Sequence, residues 1–448
     1  MIVLKPRPRR IALMTTNYKA GRQSAHLNMG DQEFNRRLGA VAGAFGIDWL
    51  SAGDRALQAL WQRKDGFAVN QLCLLGDAIA GFNEIDPKWV KDHVKKIKGP
   101  DANGRRGSMF ELLGANLFRH SPQSIVPTKH NNPGYDLLLT MPDGANADIS
   151  LKSFGISFHE TTFRKRAAET EQAFISLLRE CGTGGAVLNA IANAYPSPSD
   201  WSALRSALGT LPLDQATAQG IWTVKLGSLP PDYAPYSPQH LSYQVFMAAP
   251  FHQNESKNLS DKFDDAFANA KRFAVEAPDS VRVVLMRVPE AMSLRTCDRW
   301  AKEYLANNPA SPIDGVYLYQ LTVVEQPNDQ SVISHALRIS ETARFGTWRS
   351  PPGNQRRGFA LNLAVGVGTE PTRVKLVGGP APQFMEEAYH YQKGEFYTLH
   401  VVDPNKPTNA WIRNLASGIF QYAVFQSGDS QMTWGGHFPP VKDITLFD

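Results

Sequence analysis

The stretch from Asp136 to Lys152 does most to limit what this chain can fold into. It reads DLLLT-MPDGAN-ADISLK, two short apolar-rich runs on either side of a Pro-Asp-Gly turn. Proline pre-sets its backbone and Asp-Gly favours a tight reversal, so residues 142–146 predict the turn of a hairpin. The two runs then pair antiparallel, with Asp136 opposite Lys152 to within one residue of register. Alternate side chains of a strand share a face. Asp148, Ser150 and Lys152 therefore point one way, and Ile149 and Leu151 the other. A carboxylate and an ammonium meet on one face of the hairpin.

The segment before the hairpin, GSMFELLGANLFRH, has the pattern of an amphipathic helix with Ser108 as its N-cap and Glu111 in its first turns. Two carboxylates and a lysine make a meaningful set. A phosphodiester resists hydroxide because both are negative. A hard divalent cation held by carboxylate oxygens binds the phosphate and lowers the pKa of a bound water. A lysine beside it adds fixed positive charge for the attacking water or the transition state.

This order of elements resembles the PD-(D/E)xK, or restriction-endonuclease-like, nuclease superfamily. Its pattern is a helix bearing Glu, a strand opening with Asp, a hairpin, then (D/E)-x-Lys. The chain offers Glu111 in FELLG, then Pro133-Gly134-Tyr135-Asp136, then Ser150-Leu151-Lys152. The resemblance spans roughly residues 105–180. It implies Glu111 and Asp136 as ligands of Mg²⁺ or Mn²⁺, the Leu151 carbonyl completing the shell, and Lys152 as the catalytic lysine. Ser150 stands where the family has an acid, and a neutral hydroxyl is a poorer Mg²⁺ ligand. Asp148 faces the same way but lies one pleat, ~6–7 Å, farther along the strand. Glu160, in the helix predicted from HETTFRKRAAETEQAFISLLRE, is another source of a second acid.

Around this segment, Phe34, Leu38, Val41 and Phe45, then Leu57, Leu60 and Trp61, recur at helical spacing, with Gly46 and Gly66 as stops. Residues 182–220 read as a helical insertion with loops. The runs YQVFMAAPF, VRVVLMRV and GVYLYQLTVV alternate with helical KFDDAFANAKRFAV and TCDRWAKEYLA. That alternation predicts an α/β fold with a partly parallel sheet. Beyond residue 336, FALNLAVGVG, TRVKLVGG, EFYTLHVVD and FQYAVFQSG predict short strands. The expected plan is a helical N-terminal region over 1–100 and a restriction-endonuclease-like mixed sheet flanked by helices over 101–335. A β-rich recognition or partner-binding domain would follow over 336–448.

Other features carry less weight. PKWVKDHVKKIKGPDANGRRG holds Lys95, Lys96, Lys98, Arg105 and Arg106, either a solvated helix face and loop or a phosphate-contacting surface. The net charge of +5 tilts weakly toward a polyanion. PFHQNESKNL places His252 and Glu255 after a strand, as a helix cap or as accessory groups for metal or phosphate. Trp348, Tyr389, Tyr391, Phe396 and Tyr397 are core aromatics or base-stacking platforms, and RSPPGNQRRG is a basic loop. No apolar run approaches the ~20 residues of a membrane span. The three cysteines form neither a zinc pattern nor a disulfide framework, which favours a reducing cytoplasm. There is no phosphate-binding Gly-Lys-Ser/Thr loop and no G-x-S-x-G elbow.

The expected function is a metal-dependent endonuclease acting on DNA, with RNA not excluded and water as the nucleophile. Architectural analogy makes it a restriction or bacterial antiviral-defence effector. Its C-terminal domain would meet a protein partner, and a homo-oligomer is compatible. The alternatives are a catalytically silent nuclease-like scaffold, which Ser150 favours, and the nuclease subunit that accompanies a short Argonaute.

Overall fold

A computed structural model describes residues 29–438 except 64–65, 120–123, 129–133, 156, 183–184, 229–241, 274–278, 290–291, 326–330, 354–355, 360, 362–386, 395–400, 403–407, 416–417 and 428–429. Past Tyr391 only strand backbone is described. The predicted strands FALNLAVGVG and TRVKLVGG, most of EFYTLHVVD, and the aromatics Phe396 and Tyr397 lie outside these residues.

The chain divides into two compact units. The first holds α1 (Asp31–Phe45), α2 (Ile47–Ser51), α3 (Ala56–Gln62), α4 (Gly66–Ile85), α5 (Pro87–Lys98) and α6 (Ala102–Phe118). The periodic residues of α1 are its buried face: Phe34, Leu38, Val41 and Phe45. Gly46, at φ 81°, ends the helix where an L side chain would be strained. Asp86 caps α5 through the amides of Lys88 and Trp89, with Pro87 pre-set at the first helical position. Helix α6 starts six residues before the predicted Ser108 cap. Asp101 caps it through the amides of Asn103 and Gly104, leaving Ser108 buried inside the helix. Helix α6 packs on α4 and α5 within this unit, so the division falls after α6 and not at residue 100.

Helix α1 lies close against α4. A Cβ on Gly76 would sit 2.1 Å from the Arg37 carbonyl oxygen. The next residue, Asp77, is buried and meets Arg36 at 3.2 Å, Arg37 at 3.5 Å and Arg119 at 2.7 Å. Asn116 Nδ2 donates to its other oxygen at 3.1 Å. Burial alone would push the Asp77 carboxyl up. The Asn116 hydrogen bond and the arginines outweigh that and hold it below the usual carboxylate range. Removing one partner of a buried charge network costs about 3–5 kcal/mol, and overpacking costs about 1–3 kcal/mol. Asp77→Ala and Gly76→Ala are thus expected to lower stability by those amounts. Chemical denaturation, with hydrogen exchange localising the loss to α1, α4 and α6, checks both.

The second unit begins with β1 (Ser124–Pro127), β2 (Leu137–Thr140), β3 (Asn146–Ser153) and α7 (Phe158–Glu180). It continues with β4 (Gly185–Ala192), α8 (Pro198–Ala207), β5 (Ala216–Gln219), β6 (Trp222–Ser228), β7 (Ser242–Pro250) and α9 (Glu255–Phe273). Then come β8 (Ser280–Arg287), α10 (Leu294–Asn307), β9 (Gly315–Glu325), β10 (Ser331–Glu341), α11 (Ala343–Arg349) and β11 (Ala388–Gly394). It closes with β12 (Val401–Val402), β13 (Thr408–Leu415), β14 (Gly418–Ser427) and β15 (Ser430–Phe438).

Two mixed sheets are flanked by helices, an α/β architecture. The first runs β1-β2-β3-β8-β9-β10, with β3-β8 and β8-β9 parallel and the other pairs antiparallel. The second runs β11-β7-β4-β6-β5, with only β4-β7 parallel. Strands β12 to β15 form an antiparallel sheet. Helices α9 and α10 cover the first sheet, packing Leu259, Phe263, Cys297 and Ala301 on Val284, Met286, Val316 and Leu318. Helices α7 and α8 cover the second through Phe163, Phe174, Trp201 and Leu204.

Two expectations change here. Strand β4 replaces part of the helical insertion foreseen over 182–220. Its buried positions, Ala186, Leu188, Ala190 and Ala192, alternate as a strand requires. The division expected at 335/336 falls inside β10, which pairs with β9 along its whole length.

Candidate active site

The hairpin forms, with a register two residues away from the prediction. Its turn closes at the Thr140↔Asn146 pair, with the Met141 amide donating to the Ala145 carbonyl at 2.7 Å and Gly144 at φ 86°. The last ladder pair is Leu137↔Ile149, so one step further Asp136 faces Ser150, not Lys152. The turn has the expected five residues but sits one residue earlier, at 141–145 in place of 142–146, and that shift moves the pairing register by two.

Asp136 is tied down at this point. Its amide donates to the Ile149 carbonyl at 2.9 Å, and its carboxylate oxygen Oδ2 accepts from the Leu151 amide at 2.6 Å. The carboxylate therefore sits on the backbone between Ser150 and Lys152. Opposite residues of an antiparallel pair share a face and diagonal neighbours lie ~7–8 Å apart. Asp148, Ser150 and Lys152 thus share one face near the end of β3, and the Asp136 carboxylate caps the strand edge beside them at the Leu151 amide. On the far side of β3 the parallel register sets Asp148 beside Arg282, Ser150 beside Val284 and Lys152 beside Met286. This is the face on which α9 and α10 pack. Ligand-bearing groups in α/β sheets collect at the carboxyl ends of parallel strands, and Lys152 and Ser153 end β3 in that way.

The electrostatics of the face are uneven. Burial pushes the Asp148 carboxyl up to about 6, against the opposing pull of Arg282. The Arg282 contact is long, 3.8 Å, so the charge is only partly answered. Burial and the nearby Asp148 charge also push Tyr135 up. Lys152 is half-buried, and no carboxylate among the described residues lies within ion-pair distance of it.

The remaining expected site residues have partners of their own. Glu111 belongs to the first unit, where its carboxylate meets His93 Nε2 at 2.5 Å while His93 Nδ1 faces the Trp89 carbonyl at 2.8 Å. Glu160 is buried and bridges Arg164 at 2.7 Å. Glu255 is buried, and its Oε1 accepts from both Ser157 and Tyr389. His252 stacks on His159 with ring centroids 3.6 Å apart, and Tyr195 stands edge-on to both. Burial and His252 push His159 down. Lys95 and Lys96 are exposed in the last turn of α5, where cations offset the helix dipole. Lys98 donates to the Phe45 carbonyl, Arg105 donates to the Gly99 and Pro100 carbonyls, and Arg106 is half-buried. Trp348, Tyr389 and Tyr391 are core, and Arg357 of the basic loop pairs with Asp143 at 2.6 Å.

The sequence reading passed over Arg282 and Arg287. Arg287 is buried and donates through Nε to Ser153 at 3.0 Å, beside Lys152. The signal was there: two arginines inside the apolar run VRVVLMRV. Among the described residues no three His, Cys, Asp or Glu side chains are grouped to hold a metal ion. The local donor set is thinner, two carboxylates on one hairpin. That fits Mg²⁺, which takes one or two carboxylates and keeps several waters, and does not fit an ion caged by protein.

The chain matches no protein-family model, no curated protein and no solved structure. What the site does must be argued from its own groups.

Asp148 has a stability signature. The unfolded carboxyl loses its proton near pH 4, whereas the folded one keeps it to about pH 6. Between these values the folded state binds more protons, so this group's contribution falls as pH rises. In metal-free buffer Asp148→Asn should gain roughly 2–3 kcal/mol relative to the unsubstituted chain between pH 4 and pH 8. Denaturant melts of both proteins across that range measure the gain.

Proposed function

We propose that this chain is a metal-dependent phosphodiesterase acting on DNA, with the β2–β3 hairpin as its active site. One observation carries the reading. Asp136 is anchored to the Leu151 amide, one residue from Lys152, at the strand edge beside the face that carries Asp148, Ser150 and Lys152. The helix–Asp–hairpin–Ser-Leu-Lys order that resembles PD-(D/E)xK nucleases supports it.

Asp136 and Asp148 would hold the Mg²⁺ ion. Asp148 supports this role because it is a half-buried carboxyl with incomplete counter-charge, which a cation would relieve. Bound there, the ion would supply charge neutralisation at the phosphate and a more acidic water. Lys152, with no described carboxylate to neutralise it, offers its ammonium to a phosphate oxygen or to the attacking water. The Ser150 hydroxyl can donate to the same phosphate. The Asp136–Leu151 hydrogen bond holds the carboxylate in place as charge develops, and Arg287 steadies the end of β3 through Ser153.

A second reading is a nuclease-like scaffold that binds nucleic acid without cutting. Two observations favour it: Ser150 in place of an acid, and Glu111 held by His93 within the other unit. Cleavage of plasmid and single-stranded DNA with Mg²⁺ or Mn²⁺ separates the two. The enzyme reading predicts cutting that EDTA abolishes, that weakens as pH falls through about 6, and that Asp136→Ala and Lys152→Ala each reduce about 100-fold or more. Cutting that persists in either variant overturns the site. DNA binding without cutting, unchanged in both variants, establishes the scaffold instead.

A further inference from the structure

The N-terminal helical unit contains a half-open cavity of about 210 Å³. Its apolar lining comes from Leu57, Ile97 and Met109, all buried. Trp49, half-exposed, and Arg55, Arg105 and Arg106 complete most of the wall. Helix α6 presents Ala102, Arg105, Arg106 and Met109 to it, positions i, i+3, i+4 and i+7 of a single helical face.

The arginines are arranged in advance of any ligand. Arg55 Nη1 donates to the carbonyls of Lys98 at 2.8 Å and Gly99 at 3.2 Å. Arg105 Nη1 donates to the carbonyls of Gly99 at 3.2 Å and Pro100 at 2.6 Å. Both side chains are thereby fixed by the α5–α6 loop. Each leaves its Nε and Nη2 hydrogens without an acceptor among the described residues, and Arg106 has no described partner at all. Three planar forks of fixed charge around one small space suit an anion with several coplanar oxygen pairs, above all phosphate. Asp54 is the one acid in the lining and is exposed.

The other half of the lining argues against a bare inorganic anion. The Trp49 indole, whose ring stacks on Phe45 with centroids 5.5 Å apart and lies 5.5 Å from the Lys98 ammonium, and three buried aliphatic side chains offer nothing to a hydrated ion; the exposed part of the indole suits the edge of a flat heterocycle. The volume sets the scale. At about 210 Å³ the cavity lies below the ~300–1,000 Å³ of sites that swallow a drug-sized ligand. It seats one end of a molecule and leaves the rest outside. We propose that this cavity binds a nucleoside monophosphate unit, its phosphate on Arg55, Arg105 and Arg106 and its base against Trp49. The unit is either a free nucleotide or the phosphorylated terminal nucleotide of a strand. The site stands on its own geometry and does not depend on the hairpin being catalytic.

Isothermal titration calorimetry on the full chain tests this with AMP, dAMP, adenosine, inorganic phosphate, and 5′-phosphorylated and 5′-hydroxyl oligonucleotides. A nucleotide, or the phosphorylated strand over its hydroxyl counterpart, should bind, with adenosine and inorganic phosphate each at least about tenfold weaker. Which of the two binds distinguishes the sources. Arg106→Ala should cost about tenfold or more, and Arg106→Lys less, because lysine keeps the charge and loses the fork. Neither should move the melting temperature, since Arg106 has no described partner. Trp49→Leu should weaken nucleotide binding about fivefold or more and leave phosphate binding unchanged. Asp136→Ala should bind like the unsubstituted chain, so loss of cutting and loss of binding are read separately. Absence of binding by nucleotide and phosphorylated strand at millimolar concentration overturns the proposal. Unchanged affinity in both Arg106→Ala and Trp49→Leu, or loss of binding in Asp136→Ala, does so too.

Discussion

The second unit depends on β3 being paired along both edges. On one side it meets β2 antiparallel; on the other it meets β8 parallel through all eight of its residues. A strand held on a single side can slip, and each one-residue slip exchanges its two faces. With two partners the slip would have to break both ladders at once. The alternation of Ile149 and Leu151 with Asp148, Ser150 and Lys152 is therefore locked. The Asp136 carboxylate on the Leu151 amide is a further pin at the site itself.

Against that rigid frame the buried acids fall into two kinds. Asp77, Glu171 and Glu255 are each answered in full. Asp77 has arginines and Asn116, Glu171 has the hydroxyls of Tyr243 and Tyr391, and Glu255 has Ser157 and Tyr389. Two of these answers come from β11, whose tyrosines reach α7 and α9. Such groups hold elements together. Asp148 has only the long contact to Arg282. Asp148 differs in this from those three acids, which directs attention to the hairpin face independently of any sequence pattern.

Much of this was legible in the sequence where local chemistry decides. The hairpin, its turn, the helices α1, α7, α9 and α10, and the strands β7, β8 and β9 all followed from periodicity and Pro-Asp-Gly punctuation. What was hidden is what tertiary partners decide. The turn sits one residue earlier than its composition suggested, which moved Asp136 from Lys152 to Ser150. Glu111 was readable as an acid on a helix, but nothing local announces that His93, eighteen residues earlier, takes its carboxylate. Glu255 likewise finds Tyr389 across 134 residues. Strand β4 was missed because three of its four buried positions are alanine, the strongest helix former, so local propensity points away from the strand that tertiary pairing imposes. The Arg106 cavity needed four helices, α2, α3, α5 and α6, to converge, so the basic run showed charge without showing shape.

The partners of the central strand are also distant along the chain. Ser153 and Arg287 lie 134 residues apart, and between them comes nearly the whole of the second sheet. At ribosomal rates of ~5–20 residues per second, roughly 7–27 s pass between the emergence of β3 and that of β8. Throughout that interval one edge of β3 has no mate, a bare template for mispairing with neighbouring nascent chains. The hairpin is thus the part of the molecule whose chemistry is written early and whose scaffold arrives late.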